Sequence, residues 1–329
     1  MSCSRHSEEN EFYSFTIMNG LNKIIGFFSW SVAVIMFSCD AHAQGCSDAG
    51  FCTAGAIQAS DNKNESKFNA VGLGMNIANG EKKTAVLIPQ LSYTRNLNQH
   101  SFLEIRLPYY IASGDLGNYS GIGDPIISYT NKFFGEKDFQ LSFTGGIKIG
   151  LGKTNAITTK DHPLPMPYQP GLGTTDIILG LRADYKNFLS FAAGYQQPLF
   201  QYNNNGYLSA QYPDEPEAYK SFPDSRHLRR KGDALLRTDI HFDVRRFRIT
   251  AGPLLIYHLG NDKATDLSGT QFEISGSKGI TLNATAGLQY VNERVTLQLL
   301  AGAPVIARKS RPDGLTRSWS ITPTFIYKF

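Results

Sequence analysis

Ser318–Phe329 reads SWSITPTFIYKF and alternates apolar and polar side chains at every second position. Successive side chains of an extended strand point to opposite faces, so this period places the members of each set together. One face carries Ile321, Pro323, Phe325, Tyr327 and Phe329, and the other carries Ser320, Thr322, Thr324 and Lys328. The pattern predicts a strand with an aromatic apolar face and a mostly polar face.

The same alternation continues back through the chain to residue 68. The segments are Phe68–Ala78, Thr84–Asn96, Ser101–Ser113, Ile122–Phe133, Phe139–Gly150, Thr174–Tyr185, Phe188–Phe200, Gly232–Val244, Phe247–Leu259, Ile280–Val291, Val295–Ile306 and Thr316–Phe329. Each can supply a tilted membrane strand of about 9–11 residues. We therefore predict an all-β fold over 68–329, a transmembrane antiparallel up-and-down β-barrel of about twelve strands.

The connections between these segments sort into two sets. The short ones are Asn96–His100, Gly135–Lys137, Lys186–Asn187, Arg245–Arg246 and Asn292–Glu293. Asn79–Lys83 is also short, whereas the remaining connections are long: Gly114–Gly121, Leu151–Gly173, Gln201–Lys231, Gly260–Gly279 and Ala307–Leu315. Short turns on one side and longer loops on the other are typical of outer-membrane barrels, and a soluble sandwich has no reason to sort its loops this way.

Residues 1–43 have the features of a cleaved signal peptide, with Met18 as the expected true start. Lys23 precedes an apolar run from Ile24 to Phe37, which is too short to span a bilayer, and Ala41-His42-Ala43 supplies a small-x-small cleavage site. A rival interpretation makes Cys39 a lipoprotein site, which the preceding Phe37 fits poorly.

Residues 44–67 are small and polar and are interpreted as a periplasmic N-terminal segment or a plug in the barrel mouth. Cys46 and Cys52 can close a small disulfide loop in an oxidising compartment, and the alternative is a pair of reduced thiols. The stretch offers too few ligands for a metal, and we expect no metal or cofactor anywhere in the chain.

Charge composition excludes one class of partner. The chain has 32 basic and 28 acidic residues and a net charge of +4, too small and too evenly spread to indicate nucleic-acid binding.

Two motifs carry a family resemblance. The last segment, which ends on Phe329, resembles the C-terminal strand of Gram-negative outer-membrane β-barrels, which the barrel-insertion machinery of that membrane recognises. Gly121-Ile122-Gly123-Asp124-Pro125 resembles the GxGDP-type strand opening of outer-membrane barrels associated with the meta-pathway of phenol degradation. The resemblance implies an outer-membrane location, contact with outer-membrane lipid and lipopolysaccharide, and passage of small, often hydrophobic or aromatic solutes.

Charged residues fall on the strand faces opposite the apolar ones. An Arg or Lys facing lipid at mid-membrane costs about 2–4 kcal/mol, so these residues are expected inside the barrel. Candidates for the lumen lining are Glu104, Arg106, Lys148, Asp176, Arg182, Asp184, Arg237, Asp239, His241, Asp243 and Arg248. They form salt bridges that fill a narrow lumen or line a polar pathway for solutes, and the alternating row from Arg237 to Asp243 is the preferred functional candidate.

Two further classes stay open. The barrel could be closed, with a structural or surface-interaction role carried by the Pro- and Tyr-containing loops Leu151–Gly173 and Gln201–Lys231. An outer-membrane lipid hydrolase is the less favoured class, since no GxSxG element is present and His241 and His258 have the inward parity. We therefore expect a channel or transporter rather than an enzyme.

Overall fold

The computed structural model describes residues 69–314 and 317–329. The predicted signal peptide, the 44–67 segment and the Cys46–Cys52 pair lie outside these residues. The described residues form fifteen strands: β1 (Ala70–Gly80), β2 (Ala85–Asn96), β3 (Ser101–Gly114), β4 (Gly117–Ile122), β5 (Ile126–Gly135), β6 (Phe139–Lys148), β7 (Thr174–Tyr185), β8 (Leu189–Gln201), β9 (Asp233–Val244), β10 (Phe247–His258), β11 (Lys263–Thr265), β12 (Gln271–Glu273), β13 (Gly279–Val291), β14 (Val295–Ile306) and β15 (Arg317–Lys328).

Twelve of these strands form a closed antiparallel barrel, which confirms the predicted fold class. β4, which pairs only with β3, is not counted among the twelve. Each of the twelve pairs with the next of them along the chain, including β3 with β5 and β10 with β13, and β1 pairs with β15 to complete the ring. Ala70 lies opposite Lys328, and the backbone N–H of Phe329 donates to the Asn69 carbonyl at 2.9 Å. β15 therefore closes the barrel against β1, so that both of these strands are paired on both sides.

The outer face of the barrel is apolar, as the alternation requires. Phe325 and Tyr327 are 44% and 43% exposed, whereas the intervening inward residues are more buried. Aromatic rings gather at the short-turn end, where Phe188 and Phe242 meet edge to face with centroids 5.9 Å apart. Such rings suit the boundary between hydrocarbon and water.

Among the described residues, no helix has the length and apolarity needed to cross a membrane.

The connections follow the predicted sorting with one correction. The short turns are 97–100, 136–138, 186–188, 245–246 and 292–294, and the longest connections are 149–173, 202–232 and 259–278. Gly114–Gly121 is not a long loop, because β3 and β4 form a hairpin around a two-residue turn. β4 and β5 are two parts of one interrupted strand, both paired with β3, and the sequence pattern predicted the first part as a loop. Gly123-Asp124-Pro125 separates the two parts and breaks the apolar period.

We predict that the purified barrel migrates faster on a denaturing gel when unheated than when boiled. The closed ladder satisfies its strand backbone groups internally, so detergent alone should not unfold it. A soluble protein with identical migration before and after boiling would contradict the barrel.

Candidate functional site: the barrel interior and its lid

Short-range ion pairs organise the barrel interior. In three strands an arginine pairs with a carboxylate two residues away on the same inward face, with N–O distances of 2.6 Å for Arg106–Glu104, 2.8 Å for Arg182–Asp184 and 2.6 Å for Arg237–Asp239. Each of these strands thus neutralises much of its own buried charge. Removing one member of a pair would leave an uncompensated buried charge and destabilise the barrel.

The remaining candidate residues join neighbouring strands. Lys148 on β6 contacts Asp176 on β7 at 2.9 Å, and Asp176 also accepts a hydrogen bond from Gln196 on β8. His241 lies between the Ser190 and Thr250 hydroxyls, at 2.9 and 3.1 Å from its two ring nitrogens. Arg248 contacts Asp243 at 2.7 Å near the short-turn end, where the Asp243 side chain is 45% exposed.

Space inside the barrel is distributed unevenly. The inward side chains of β5–β10, β13 and β14 are mostly buried, including Thr130, Ser142 and Asp176 at 0% exposure. On β1, β2 and β15, several inward residues stay partly accessible. We call this side the seam; its inward residues include Gly72, Gly74, Asn76, Gln90, Ser92, Ser320, Thr322 and Thr324. These seam residues are uncharged and mostly small, and the seam carries an inward charge at Lys328, near the short-turn end. The ion pairs lie on β3, β6, β7, β9 and β10.

Connection 149–173, which we call the lid, covers the loop end of the interior. Its buried residues Leu164 and Tyr168 pack with Val86 and Tyr110 of the barrel and with Tyr207, Tyr219 and Phe222 of connection 202–232. The Tyr110 hydroxyl donates to the Pro167 carbonyl at 2.8 Å, and the Tyr219 hydroxyl donates to the Pro163 carbonyl at 2.8 Å. The lid is therefore an ordered, aromatic-packed element.

Asp124 fastens both ends of the lid. Its two carboxylate oxygens accept from the backbone N–H groups of Gly152 at 2.9 Å and Leu172 at 3.1 Å. Gly152 and Gly171 are so close that a Cβ added to Gly152 would lie 2.6 Å from the Gly171 Cα, so neither position can carry a side chain without a shift. The GxGDP stretch thus breaks the strand and provides the carboxylate that holds the lid.

A cavity of ≈ 90 Å³ lies between the lid and the seam. Its wall includes apolar side chains of Ile88, Tyr110, Ile126, Met166 and Leu172, and polar side chains of Arg106, Lys148, Gln90 and Thr322. A site of this size holds several waters, whereas a benzene-sized ligand occupies an engineered cavity of about 150 Å³. A ring-sized solute would therefore have to displace part of the lid.

The sequence patterns did not reveal the cavity-forming lid residues. Met166, Gln169 and Leu172 lie in a Pro-rich loop with no periodicity that indicates which residues turn inward. Asp124 was visible only as part of a motif, because its hydrogen-bond partners lie 28 and 48 residues further along the chain.

No protein-family model matches the chain, and no curated protein matches it in sequence. Among solved structures, an outer membrane channel from Pseudomonas putida F1 aligns with 14% identity and a TM-score of 0.53, covering 80% of this chain and 94% of that one. The KdgM porin aligns with 9% identity and a TM-score of 0.41, covering 79% and 99% of the two chains. The toluene transporter TodX of P. putida aligns with 11% identity and a TM-score of 0.41, covering 88% and 96%.

The likeness to the P. putida F1 channel covers most of both chains and is a likeness of fold. The chain is thus a closed β-barrel with the fold of an outer membrane channel. At 14% identity the likeness extends to the fold alone, so the resemblance to the phenol-degradation group stays a prediction.

We predict that Asp124→Ala loosens the lid. The substitution removes two hydrogen bonds to a charged group, each worth about 1.5–3 kcal/mol. Limited digestion of the folded barrel with trypsin should then cut faster after Lys153 and Lys160, both exposed in the lid. Asp115→Ala, in the exposed β3–β4 turn, is the matched control. Equal digestion rates in both variants would show that Asp124 does not hold the lid.

Proposed function

We propose that this protein is an outer-membrane channel that admits a small, weakly charged solute under the lid and passes it along the seam. The observation that carries the proposal is the continuity of the cavity with the seam. Asn76, Gln90 and Thr322 border the cavity and also belong to the seam. A solute leaving the cavity therefore meets small uncharged side chains on one side.

The chemistry of the cavity favours a solute with an apolar body. Ile88, Ile126, Met166 and Leu172 offer an apolar surface, while Gln90 and Thr322 offer hydrogen bonds to a polar group. Hydrophobic or aromatic molecules carrying few charges fit this combination. The cations in the wall, Arg106 and Lys148, already have carboxylate partners, so they do not by themselves call for an anionic solute.

The proposed location is the outer membrane of a Gram-negative bacterium. The apolar outer face of the barrel supports it, together with the predicted signal peptide and the C-terminal strand ending at Phe329. In this proposal the barrel-insertion machinery reads that strand, and the long connections face lipopolysaccharide.

A second candidate function is a closed barrel with a structural or surface-interaction role. The filled wall supports it, since Arg182, Asp239 and Lys148 are at most 3% exposed, whereas a wide water-filled pore would leave its lining accessible. The two candidates differ in whether solute crosses when the lid is removed.

We predict that shortening the lid opens the barrel. Because Gly152 and Gly171 are in contact, residues 153–170 can be replaced by a two-glycine linker without stretching the chain. In a planar bilayer the lidless variant should give discrete conductance steps larger than those of the intact chain. A lidless barrel that is folded but silent would favour the closed structural role.

We predict that Gly74→Leu blocks the seam. A Cβ at Gly74 would lie 2.9 Å from Gln90 Nε2 and 3.2 Å from Thr324 Oγ1, so a leucine must occupy the remaining space. Introduced into the lidless barrel, it should lower the conductance several-fold. Gly145→Leu is the control, because Gly145 lies on the outer face of β6 beside Phe143. An equal effect of both substitutions would contradict a path along the seam.

A further inference from the structure

A buried ion-pair network lies at the loop end of the barrel, outside the cavity wall except for Asp313. It joins connections 202–232, 259–278 and 307–314 to the first residue of β9 and the last residue of β10. Arg230 lies 3.1 Å from both Asp233 and Asp313, and Arg308 lies 3.0 Å from Asp313. His258 lies 2.7 Å from Asp233 through Nδ1 and 2.8 Å from Asp262 through Nε2.

His258 bridges two carboxylates, and this geometry fixes its protonation. A carboxylate oxygen only accepts hydrogen bonds, so both ring nitrogens must carry a proton for both contacts to be favourable. The His258 and Asp262 side chains are both fully buried, so water does not substitute readily for either partner. The network therefore requires the imidazolium form.

Among the groups joined by ion pairs, the charges balance when His258 is protonated. Arg230, Arg308 and the imidazolium face Asp233, Asp262 and Asp313, giving three charges of each sign. The other charged groups nearby are Arg311, which is buried beside Asp313 in the same connection, and Asp176, which faces Arg230 and is paired with Lys148. Loss of one proton from His258 would leave a carboxylate without its cation in a buried site.

Asp313 and Arg230 keep their charges over the pH range in which a histidine titrates. Burial alone would raise the pKa of Asp313, but Arg308, Arg230 and His258 hold it well below its ordinary value. Burial alone would lower the pKa of Arg230, but Asp313, Asp233 and Asp262 raise it above its ordinary value. Because the pKa of Asp313 is depressed, its stabilising contribution is lost only in strong acid. A rise in pH acts instead through His258.

Asp262 is the carboxylate that loses its cationic partner when His258 becomes neutral. A neutral imidazole keeps one N–H, so it can donate to only one of the two carboxylates. Asp233 retains Arg230, whereas Asp262 Oδ1 retains the backbone N–H of Lys231 at 3.0 Å and its buried Oδ2 has no hydrogen-bond partner. Even when the neutral ring keeps its one N–H toward Asp262, that carboxylate is buried without an ion-pair partner, which favours its release toward water.

Asp262 in turn holds the connection that packs on the lid. Its carbonyl accepts from the Ile274 N–H at 2.8 Å, and its N–H donates to Ser277 Oγ at 2.8 Å. Ile274 packs against a cluster that contains Met166 and Leu172 of the lid, both in the cavity wall. Releasing Asp262 would thus remove one of the supports of the lid.

We propose that protonated His258 latches connection 259–278 over the lid, and that loss of its proton at alkaline pH releases the latch. That the latch controls passage rests on the proposed channel function, whereas the movement of the loops does not.

The latch can be tested by measuring a distance between loops. Spin labels at Leu267→Cys and Lys309→Cys, both exposed, are introduced after the native cysteines are replaced by serine. Electron paramagnetic resonance at about pH 6 should give a narrow distance distribution, which broadens at about pH 9 if the histidine loses its proton. His258→Gln, which is neutral at both pH values, should give the broad distribution throughout. His227→Gln, at an exposed loop histidine, should behave as the unchanged chain.

Conductance separates the latch from the channel. The intact chain should conduct several-fold more at the alkaline pH, and His258→Gln should lose most of this difference while still showing heat-dependent gel migration. An unchanged distance distribution in the wild-type chain at the two pH values would overturn the latch, whether or not His258→Gln folds. A distribution that broadens while the lidless barrel stays silent would support the latch and reject the channel.

Discussion

Closure of the sheet is the constraint on which the rest of the structure depends. The pairing of β1 with β15 and of β2 with β3 satisfies the strand edges, so each strand must present one face outward and one inward. The inward faces then share a narrow interior. Charges that would be unfavourable in lipid meet carboxylates within a few ångströms, as in the pairs formed by Arg106, Arg182 and Arg237.

The narrow interior explains why the lid matters. Buried polar side chains fill the wall formed by β5–β10, β13 and β14, with ion pairs on β6, β7, β9 and β10. The remaining space lies between the seam and the lid. A short polar strand break at Gly123–Pro125 gives the lid its anchor, because it turns the Asp124 carboxylate toward two backbone N–H groups. The aromatic packing around Tyr168 and Tyr219 then makes the lid rigid enough to define a cavity.

The network around His258 adds a second level of control above the lid. Its members come from three connections that are far apart in sequence, and they meet at the barrel rim because the strands end there. Arg230 and Asp313 are held in their charged forms by their neighbours, so the histidine is the member that responds near neutral to alkaline pH. The connection that carries Asp262 packs on the lid through Ile274, whose cluster contains Met166, and this packing couples the network to the lid.

The sequence by itself determined the barrel. Alternation at every second residue and the sorting of turns predicted eleven of the twelve barrel strands closely, because a closed sheet imposes its period locally. It failed at Gly114–Gly121, where a glycine-rich, interrupted strand looks like a loop. Only the tertiary structure decided which charges pair, that Asp124 holds the lid, and that His258 meets Asp262. The reason is physical: these contacts join residues on different strands and loops, and nothing in the local periodicity records which of them meet.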